Sequence, residues 1–309
     1  MSRAVYRRGM HVVITGSTGL IGTALVKKLS ADGHDVTRLV RRTPRPGEAH
    51  WNPADGTIEA AALEGADAVV HLAGAGIGDH RWTTEYKREL VDSRVLGTEL
   101  LASTIASLDR KPAVLLSGSA IGVYGARGDE ELDERSSVGS GFLADLCVQW
   151  EAATAAASEA GVRVAHLRTG IVLAESAGAL AKQLPLFKLG LGGKFGNGSQ
   201  WQSWISLDDE VRAITHLITA PVHGAVNLTA PAPVTQGTFT KTLGKVLHRP
   251  TVLPIPKFGP KLLLGGELAN ALLFTGQKVL PKVLLENGFT FQHATLEHAL
   301  RSILGRAAA

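Results

Sequence analysis

The fold of this chain can be inferred from one glycine-rich stretch, Gly16-Ser17-Thr18-Gly19-Leu20-Ile21-Gly22. The stretch follows an apolar run at residues 11–15 that is typical of a strand, and it opens a helical pattern at residues 24–31. A strand, a tight glycine turn and a helix, in that order, build the pyrophosphate site of dinucleotide-binding folds. The helix N-terminus then presents free N–H groups and positive dipole to the anion. The sequence therefore predicts a dinucleotide site here.

Strands alternate with helices beyond this turn. Further strands are predicted at residues 35–40, 49–51, 68–72, 113–116 and 162–167, with residues 171–173 extending the last of them. Long helices are predicted at residues 84–107 and 142–160. This alternation is typical of an α/β fold with a doubly wound parallel sheet, in which ligands bind beyond the C-terminal ends of the strands.

The pattern changes after residue 174, because a glycine-rich segment follows and the chain from about residue 238 is mostly helical and interrupted by prolines. We predict three parts. Residues 1–9 form a flexible N-terminal extension, residues 10–235 a nucleotide-binding Rossmann domain, and residues 236–309 a small, mostly helical C-terminal domain that covers the cofactor edge of the sheet.

Composition excludes several classes of protein. The 309 residues are 45% hydrophobic and 19% charged, which is typical of a globular chain with a sizeable core. The net charge of +4 comes without a long basic run, so no nucleic-acid partner is predicted. Cys147 is the only cysteine, so no cysteine-rich metal site is predicted either. We find no secretory signal and no apolar run of ~18 residues, and we therefore expect a cytoplasmic protein without a membrane partner.

Several segments together resemble the extended short-chain dehydrogenase/reductase superfamily, namely residues 15–22, 71–73, 97–98, 117–125 and 204–209. A narrower resemblance is to the YfcH-like epimerase family, whose members end in a small domain of unknown function. It rests on residues 81–82, 93–94, 142–144, 150–151, 167–173, 189–209 and 284–291. The resemblance spans about residues 10–304 and implies a Rossmann fold that binds a nicotinamide cofactor and a small carbonyl or sugar-like substrate.

One feature of the superfamily is missing. Its members use a Tyr-x-x-x-Lys pair, in which the lysine lowers the tyrosine pKa so that the tyrosine can exchange a proton during hydride transfer. No tyrosine of this chain has a lysine four residues later. Alignment on Trp150 and Glu151 puts Leu143 and Cys147 in the two positions. A lone cysteine on an apolar helix face is typical of inert core.

The remaining candidates for catalysis are Ser119 and Tyr124, which lie at or just beyond the fifth strand. By the resemblance, a serine there binds the substrate oxygen. An unassisted tyrosine has a pKa near ~10, so Tyr124 needs a cationic neighbour to act as a base near neutral pH. The alternative is that Tyr124 packs the loop and Ser119 caps a turn.

The second strand ends in Arg41 and Arg42, whereas the acidic Asp35 stands at its beginning. An NAD-binding fold needs an acidic side chain at the end of this strand, while arginine suits the 2′-phosphate of NADP. We therefore predict NADP, and the alternative is a solvated basic turn. By position, further contacts come from the ends of strands and from the long helix. The predicted cofactor-binding residues are Gly16, Ser17, Thr18, Gly19, Leu20, Ile21, Gly22, Arg41, Arg42, Leu72, Ala73, Glu89, Arg94, Ser117 and Val172.

Two functions stay open at this point. The first is an NADP(H)-binding epimerase or oxidoreductase that lacks the Tyr-x-x-x-Lys pair and acts on an unidentified small molecule, as a monomer or homodimer. The second is an NADP(H)-binding sensor or regulatory protein without turnover, which the absent pair favours.

Overall fold

The computed structural model describes residues 9–252 and 254–306, so the predicted extension lies outside the described residues except for Gly9. The strands are β1 His11–Thr15, β2 Asp35–Val40, β3 Glu48–Asn52, β4 Thr57–Ile58, β5 Ala68–His71, β6 Val114–Ala120, β7 Glu131–Leu132, β8 Arg163–Thr169, β9 Ile171–Leu173, β10 Trp201–Gln202, β11 Trp204–Ser206, β12 Gly224–Leu228, β13 Val234–Thr235 and β14 Lys278–Val279.

The helices connect these strands and dominate the last third of the chain. Short 3₁₀ turns lie at Ala60–Ala62 and Ile121–Tyr124, and a π-helical turn lies at Asn270–Phe274. The α-helices are α1 Leu20–Ala31, α2 Thr84–Ser107, α3 Phe142–Ala152, α4 Ala155–Glu159, α5 Gly178–Lys188, α6 Leu207–Thr219, α7 Gln236–Leu247, α8 Phe258–Leu264, α9 Gly266–Ala269, α10 Lys282–Glu286 and α11 Leu296–Ile303.

The main sheet has eight strands among the described residues, in the order β12-β8-β6-β5-β1-β2-β3-β4. Every pair is parallel except β3 with β4. The predicted doubly wound α/β sheet is thereby confirmed. The chain reverses its winding direction between β1 and β5, and at such a point two strand ends leave a crevice for a ligand.

Helices cover both faces of the sheet. On one face α1 packs against α6, and on the other α2 packs against α3 and α4. Buried aliphatic side chains fill both layers, with Ile14, Leu25 and Ile214 in one cluster and Val69 and Leu101 in the other. The sheet is therefore a rigid platform, and the loops at the C-terminal strand ends are held in place by it.

Two predicted elements are wrong in detail. Residues 171–173 do not extend the sixth strand of the prediction, because the chain turns at Gly170 and Ile171 N donates to Ser203 O at 2.8 Å. They form β9, which pairs with β11 outside the main sheet. The predicted helix at residues 142–160 is divided into α3 and α4. At the division the Thr154 hydroxyl donates to Glu151 O at 2.8 Å and replaces regular helical bonding.

The segment after β12 packs mainly on the long connection that precedes α6. Helices α7 and α11 bury Phe239, Leu243 and Leu300 in one cluster with Leu180 and Leu184 of α5. The boundary at residues 235 and 236 and the covering of the cofactor edge stay predictions. In the part of the chain that the structure describes, no helix has the length and apolar character to cross a membrane.

The motif at residues 204–209 joins the core to this last segment. Ser206 caps α6 by accepting from Asp209 N at 3.1 Å. The fully buried Asp209 carboxylate accepts from Gln292 N and His293 N, both at 2.8 Å, and from Arg212 Nη1 at 2.6 Å. Because both amides belong to the chain before α11, one carboxylate fixes the C-terminal segment to the N-terminus of α6.

Candidate functional site

The glycine turn that follows β1 contains two glycines that the protein itself requires. Gly16 has φ of +66°, and a Cβ there would lie 2.6 Å from the backbone carbonyl of Leu72. A Cβ on Gly22 would lie 2.2 Å from Gly16 O. Side chains at these positions would prevent the turn from closing and α1 from packing beside it.

Gly19 differs from both. It has ordinary extended backbone angles, with φ of −74° and ψ of 174°, and it caps α1 without a side-chain hydrogen bond. A Cβ there would meet only Gly16 O, at a van der Waals distance of 3.4 Å. Neither conformation nor packing therefore requires glycine. Gly19 faces two cavities, one on each side of the turn, so a side chain would occupy the space where an anion meets the N-terminus of α1.

The larger cavity has a volume of about 1040 Å³ and lies beyond the C-terminal ends of β1, β2, β3 and β5. It brings together most of the residues predicted for the adenosine half of a cofactor. These are Gly16, Ser17, Thr18, Gly19, Arg41, Arg42, Leu72, Ala73 and Glu89. The walls that the sequence did not predict include Trp51, Asn52, Pro53, Arg88, Asp92 and Ser93.

The two arginines at the end of β2 have different surroundings. Arg42 makes a bidentate ion pair with Glu48, with both N···O distances 2.7 Å. Arg38 also contacts that carboxylate at 2.8 Å, and the hydrogen bond from Arg42 helps lower the Glu48 pKa to about 2. Among residues 9–252 and 254–306, Arg41 has no hydrogen-bond or ion-pair partner. Arg41 is therefore the available cation at this edge.

The smaller cavity has a volume of about 380 Å³ and lies beyond β6 and β8. It shares Gly16, Gly19 and Leu72 with the larger one, so the two cavities flank the glycine turn. Of the predicted residues it also contains Leu20, Ile21, Gly22, Ser119 and Val172. Its remaining walls are Gly118, Trp150, Thr169, Ile171, Gly178 and Ala179.

One hydroxyl of the smaller cavity is hydrogen-bonded to an ionised carboxylate. Ser119 Oγ donates to Glu151 Oε1 at 2.7 Å, and Arg168 binds the same carboxylate with Nε and Nη2 at 2.8 and 2.9 Å. Burial opposes ionisation of Glu151, but the hydrogen bonds and charge of Arg168 prevail and lower the Glu151 pKa. Ser119 is thus held in a fixed orientation by a permanent negative charge.

A second hydroxyl of this cavity is hydrogen-bonded to a carboxyl group in a different state. Thr169 Oγ1 donates to Glu210 Oε1 at 2.9 Å, and Glu210 Oε2 has no hydrogen-bond partner within the described residues. Glu210 is fully buried, and this burial raises its pKa to about 8. The carboxyl group therefore carries its proton at neutral pH.

The structure places Tyr124 away from both cavities, which argues against the predicted catalytic role. The ring is fully buried, its hydroxyl donates to Asn227 Oδ1 at 2.7 Å, and it accepts from Arg168 Nη1 at 3.0 Å. A cationic neighbour is thus present, but burial is the larger influence and the Tyr124 pKa is raised. The phenol lines neither cavity and links β8 to β12 through Arg168 and Asn227.

Two predicted cofactor contacts are also displaced. Ser117 is fully buried, and its Oγ has no hydrogen-bond partner among the described residues. Arg94 donates to Leu90 O and Ala75 O at 3.1 and 3.0 Å, and its guanidinium lies 5.0 Å from the centre of the Trp150 ring. Arg94 therefore braces the loop after β5 and the wall of the smaller cavity, because side-chain length and burial keep it behind the surface.

The positions of the missing pair are inert. A Cβ on Gly122 would lie 3.3 Å from Leu143 Cβ, so Leu143 packs on the loop after β6. Cys147 is buried, and burial raises its thiol pKa to about 11. Neither side chain replaces the acid–base pair. Within the described chain, no group of three or more His, Cys, Asp or Glu side chains could hold a metal ion.

We expect Tyr124→Phe to lower the free energy of unfolding by about 1–3 kcal/mol, because Asn227 and Arg168 each lose a buried partner. NADPH affinity should stay unchanged, since the hydroxyl does not reach a cavity. Urea unfolding and fluorescence titration measure the two quantities. Normal stability together with weaker NADPH binding would instead put Tyr124 in the binding site.

The sequence did not predict four residues that surround the hydroxyls of the smaller cavity, namely Glu151, Arg168, Thr169 and Glu210. A signal for Glu210 was available, because it lies on the same helical face as the apolar Ile214 and Leu217, where a carboxylate is unusual. Arg168 gives a similar signal, because it is a charged residue near the end of a mostly buried strand. Thr169 has no such signal, since a threonine in a strand is ordinary.

Comparison with known proteins identifies the relatives of this chain. Residues 12–229 match the family described as NAD dependent epimerase/dehydratase family, and residues 255–303 match a domain of unknown function, DUF1731. An epimerase family protein of Mycobacterium bovis is 46% identical over 291 residues, covering 94% of this chain and 96% of its own.

Solved structures that resemble this chain also include epimerase family proteins. The crystal structure of the human epimerase family protein SDR39U1 with NADPH matches with a TM-score of 0.88 and 34% identity, over 96% of this chain and 100% of its own. A nucleoside-diphosphate sugar epimerase from Corynebacterium glutamicum matches with a TM-score of 0.78 and 38% identity, over 96% of this chain and 58% of its own. The chain therefore belongs to the NAD dependent epimerase/dehydratase family, among the epimerase family proteins in which this domain is followed by DUF1731.

Proposed function

We propose that this protein binds NADP(H) across the two cavities and uses it as an epimerase or oxidoreductase on a small carbonyl or sugar-like molecule. Gly19 carries this proposal. It is a glycine that neither backbone conformation nor packing requires, at a helix N-terminus, facing both cavities. A diphosphate that approaches the backbone gives a physical reason for the missing side chain.

The residues present fit such a cofactor. The first N–H groups of α1 face the diphosphate position, and the unpaired Arg41 suits a 2′-phosphate. Ser119, Thr169 and Val172 line the space for the nicotinamide. When bound, the cofactor supplies or accepts a hydride. NADPH in the crystal structure of the human relative supports this choice of cofactor.

Arg41→Ala should weaken NADPH binding by about 5–30-fold, since a charge-assisted contact at an exposed position contributes about 1–2 kcal/mol. NADH binding should change little because NADH lacks the 2′-phosphate. Isothermal titration of both nucleotides provides the measurement. Arg45→Ala is the matched control, because Arg45 is an exposed arginine of the same turn that does not line the cavity. Equal affinities of the unmutated protein for NADPH and NADH would refute the NADP assignment.

A second candidate function is an NADP(H)-binding sensor without turnover. Leu143 and the buried Cys147 favour it, since they occupy the positions of the superfamily's acid–base pair. A screen of carbonyl and sugar-like compounds that follows NADPH absorbance separates the two. Turnover of any compound supports the enzyme, whereas tight NADPH binding without turnover across the screen supports the sensor.

A further inference from the structure

We propose that Glu210, acting through the Thr169 hydroxyl, is the proton donor of the smaller cavity and takes the place of the missing tyrosine and lysine. This inference rests on the proposed function, because it needs a nicotinamide in that cavity.

The geometry provides a continuous path. Thr169 lines the cavity, and its Oγ1 lies 2.9 Å from Glu210 Oε1 directly behind the wall. In the structure Thr169 donates to Glu210. When this hydrogen bond reverses and the protonated carboxyl group donates to Thr169, the threonine O–H is free to turn toward the cavity. A proton can therefore move from a buried carboxyl group to a bound ligand without water entering the core.

The cavity contains two hydroxyl–carboxyl pairs, and their surroundings differ. Glu151 behind Ser119 is kept ionised by Arg168. Glu210 behind Thr169 has no cation beside it among residues 9–252 and 254–306, and burial keeps it protonated. Catalytic sites often contain two carboxyl groups whose pKa values are shifted in opposite directions. The one with the raised pKa acts as the acid, here Glu210, and the one with the lowered pKa stays charged, here Glu151. On this basis Ser119, whose O–H is held by Glu151, offers its oxygen as an acceptor to a substrate hydroxyl, and Thr169 delivers the proton.

The surroundings of Glu210 contain little that could compensate its charge. Helix α6 packs against α1, β6, β9 and β11, of which the three strands have no titratable side chain. On α1 the titratable groups are Lys27, which is exposed, and Lys28, which pairs with Asp32. On α6 itself Asp208 is exposed, Asp209 pairs with Arg212, and His216, six residues after Glu210, packs against the Phe289 ring. On β8, Arg168 points to the opposite face of the sheet from Thr169.

The first turn of α6, where the helix dipole favours acidic side chains, contains Glu210, but an exposed carboxylate would have that benefit without the cost of burial. Glu210 Oε2 has no partner within the described residues, and a buried carboxyl group with one unpaired oxygen costs stability compared with an apolar side chain. Groups that cost stability and have strongly moved pKa values are concentrated at functional sites. A proton-transfer role accounts for both the burial and the contact with the cavity wall.

In a reduction, the proton step conserves atoms and electrons. The substrate carbonyl carbon accepts a hydride from NADPH, and its π bond to oxygen breaks. The oxygen takes the Thr169 hydroxyl proton while Thr169 takes the Glu210 carboxyl proton. The products are an alcohol, NADP⁺ and a Glu210 carboxylate that regains its proton from solvent. The oxidation of an alcohol follows the reverse order, with Glu210 as the base.

The test needs no substrate, because oxidised and reduced nucleotide differ in ring charge. A positive nicotinamide beside Thr169 favours the Glu210 carboxylate, so binding of NADP⁺ should release a proton that binding of NADPH does not. The experiment uses weakly buffered solution at pH 8, where a group with a pKa of about 8 is about half protonated. The number of protons released by NADP⁺ binding minus the number released by NADPH binding should therefore approach about half a proton per protein. A pH-indicator dye reports it, and phosphate titration cancels in the difference.

Variants and a second spectroscopy make the result specific. Glu210→Gln should abolish the difference and keep the affinity for NADPH, whereas the affinity for NADP⁺ should fall, because proton release and NADP⁺ affinity are linked. Glu134→Gln is the matched control, because Glu134 is a half-buried carboxyl group whose pKa is also raised by burial, and it lies outside both cavities. The infrared difference spectrum of the unmutated protein, NADP⁺ minus NADPH, should show loss of a protonated carboxyl band and gain of a carboxylate band.

The outcomes separate the two proposals. Equal proton release by both nucleotides, or a difference that persists in Glu210→Gln, would overturn the role of Glu210 and leave the NADP(H) site standing. Failure of the unmutated protein to bind either nucleotide would overturn the proposed function and this inference with it.

Discussion

Gly19→Val should reduce NADPH affinity by at least about 100-fold while the protein remains folded. The branched side chain would occupy the space at the N-terminus of α1 and displace the diphosphate from the helix N–H groups. Each hydrogen bond to a charged group contributes about 1.5–3 kcal/mol, so the loss of two corresponds to a factor of about 100 or more. Fluorescence titration with NADPH measures the affinity, and circular dichroism with thermal unfolding reports the fold.

A pair of alanine variants provides the control. In Gly19→Ala the new Cβ would meet only Gly16 O at 3.4 Å, so stability should be unchanged and only binding should weaken. In Gly22→Ala the Cβ would lie 2.2 Å from the same oxygen, so stability should fall. Undiminished NADPH binding by Gly19→Val would mean that the phosphates bind elsewhere.

Asp209→Ala should lower the free energy of unfolding by about 3–5 kcal/mol, because its carboxylate is fully buried and satisfies two backbone amides as well as Arg212. Removal leaves the buried N–H group of His293 and the partly buried N–H group of Gln292 without this acceptor and Arg212 without its partner, and both effects are costly. The loss should therefore exceed that of Tyr124→Phe. Urea unfolding measures the free-energy change.

Asp208→Ala is the matched control, because Asp208 is the neighbouring aspartate on α6 and is exposed. Its stability should stay within about 0.5 kcal/mol of the unmutated protein. Hydrogen exchange should show faster exchange in Asp209→Ala at residues 292 and 293 and along α11. Unchanged exchange there would mean that other contacts hold the C-terminal segment.

The regular part of the fold could be predicted from local patterns. The bounds of β1, β2 and α2 agree with the predicted ones, because apolar periodicity and nearby turn residues determine them. Helix α2 also begins where Thr83 caps it by accepting from Tyr86 N. By contrast, β9 depends on a hydrogen bond from Ile171 N to Ser203 O, and no local pattern reveals a partner so distant in sequence.

The candidate site was predictable where it consists of backbone and was not where it consists of buried side chains. The glycine turn and the arginines after β2 lie beside the larger cavity as their motif predicts. The position of Tyr124 near the end of a strand predicts a role at the site. Whether its side chain is buried, however, depends on contacts with β12, which is distant in sequence. The pKa of Glu210 is raised because the carboxyl group is buried in the apolar layer between the sheet and α6. The local sequence does not show that this layer surrounds it.

The hydrogen bonds of Asp209 affect how far the sequences of the two family-matched regions, residues 12–229 and 255–303, can change independently. Asp209 binds main-chain N–H groups at residues 292 and 293, not side chains. Any residue type except proline supplies such a donor, so the sequence of the last domain can change widely while its attachment persists. A hybrid that combines the first region of this chain with the last domain of a relative should keep this attachment whenever an N–H group occupies each position and the apolar contacts of the last domain are preserved.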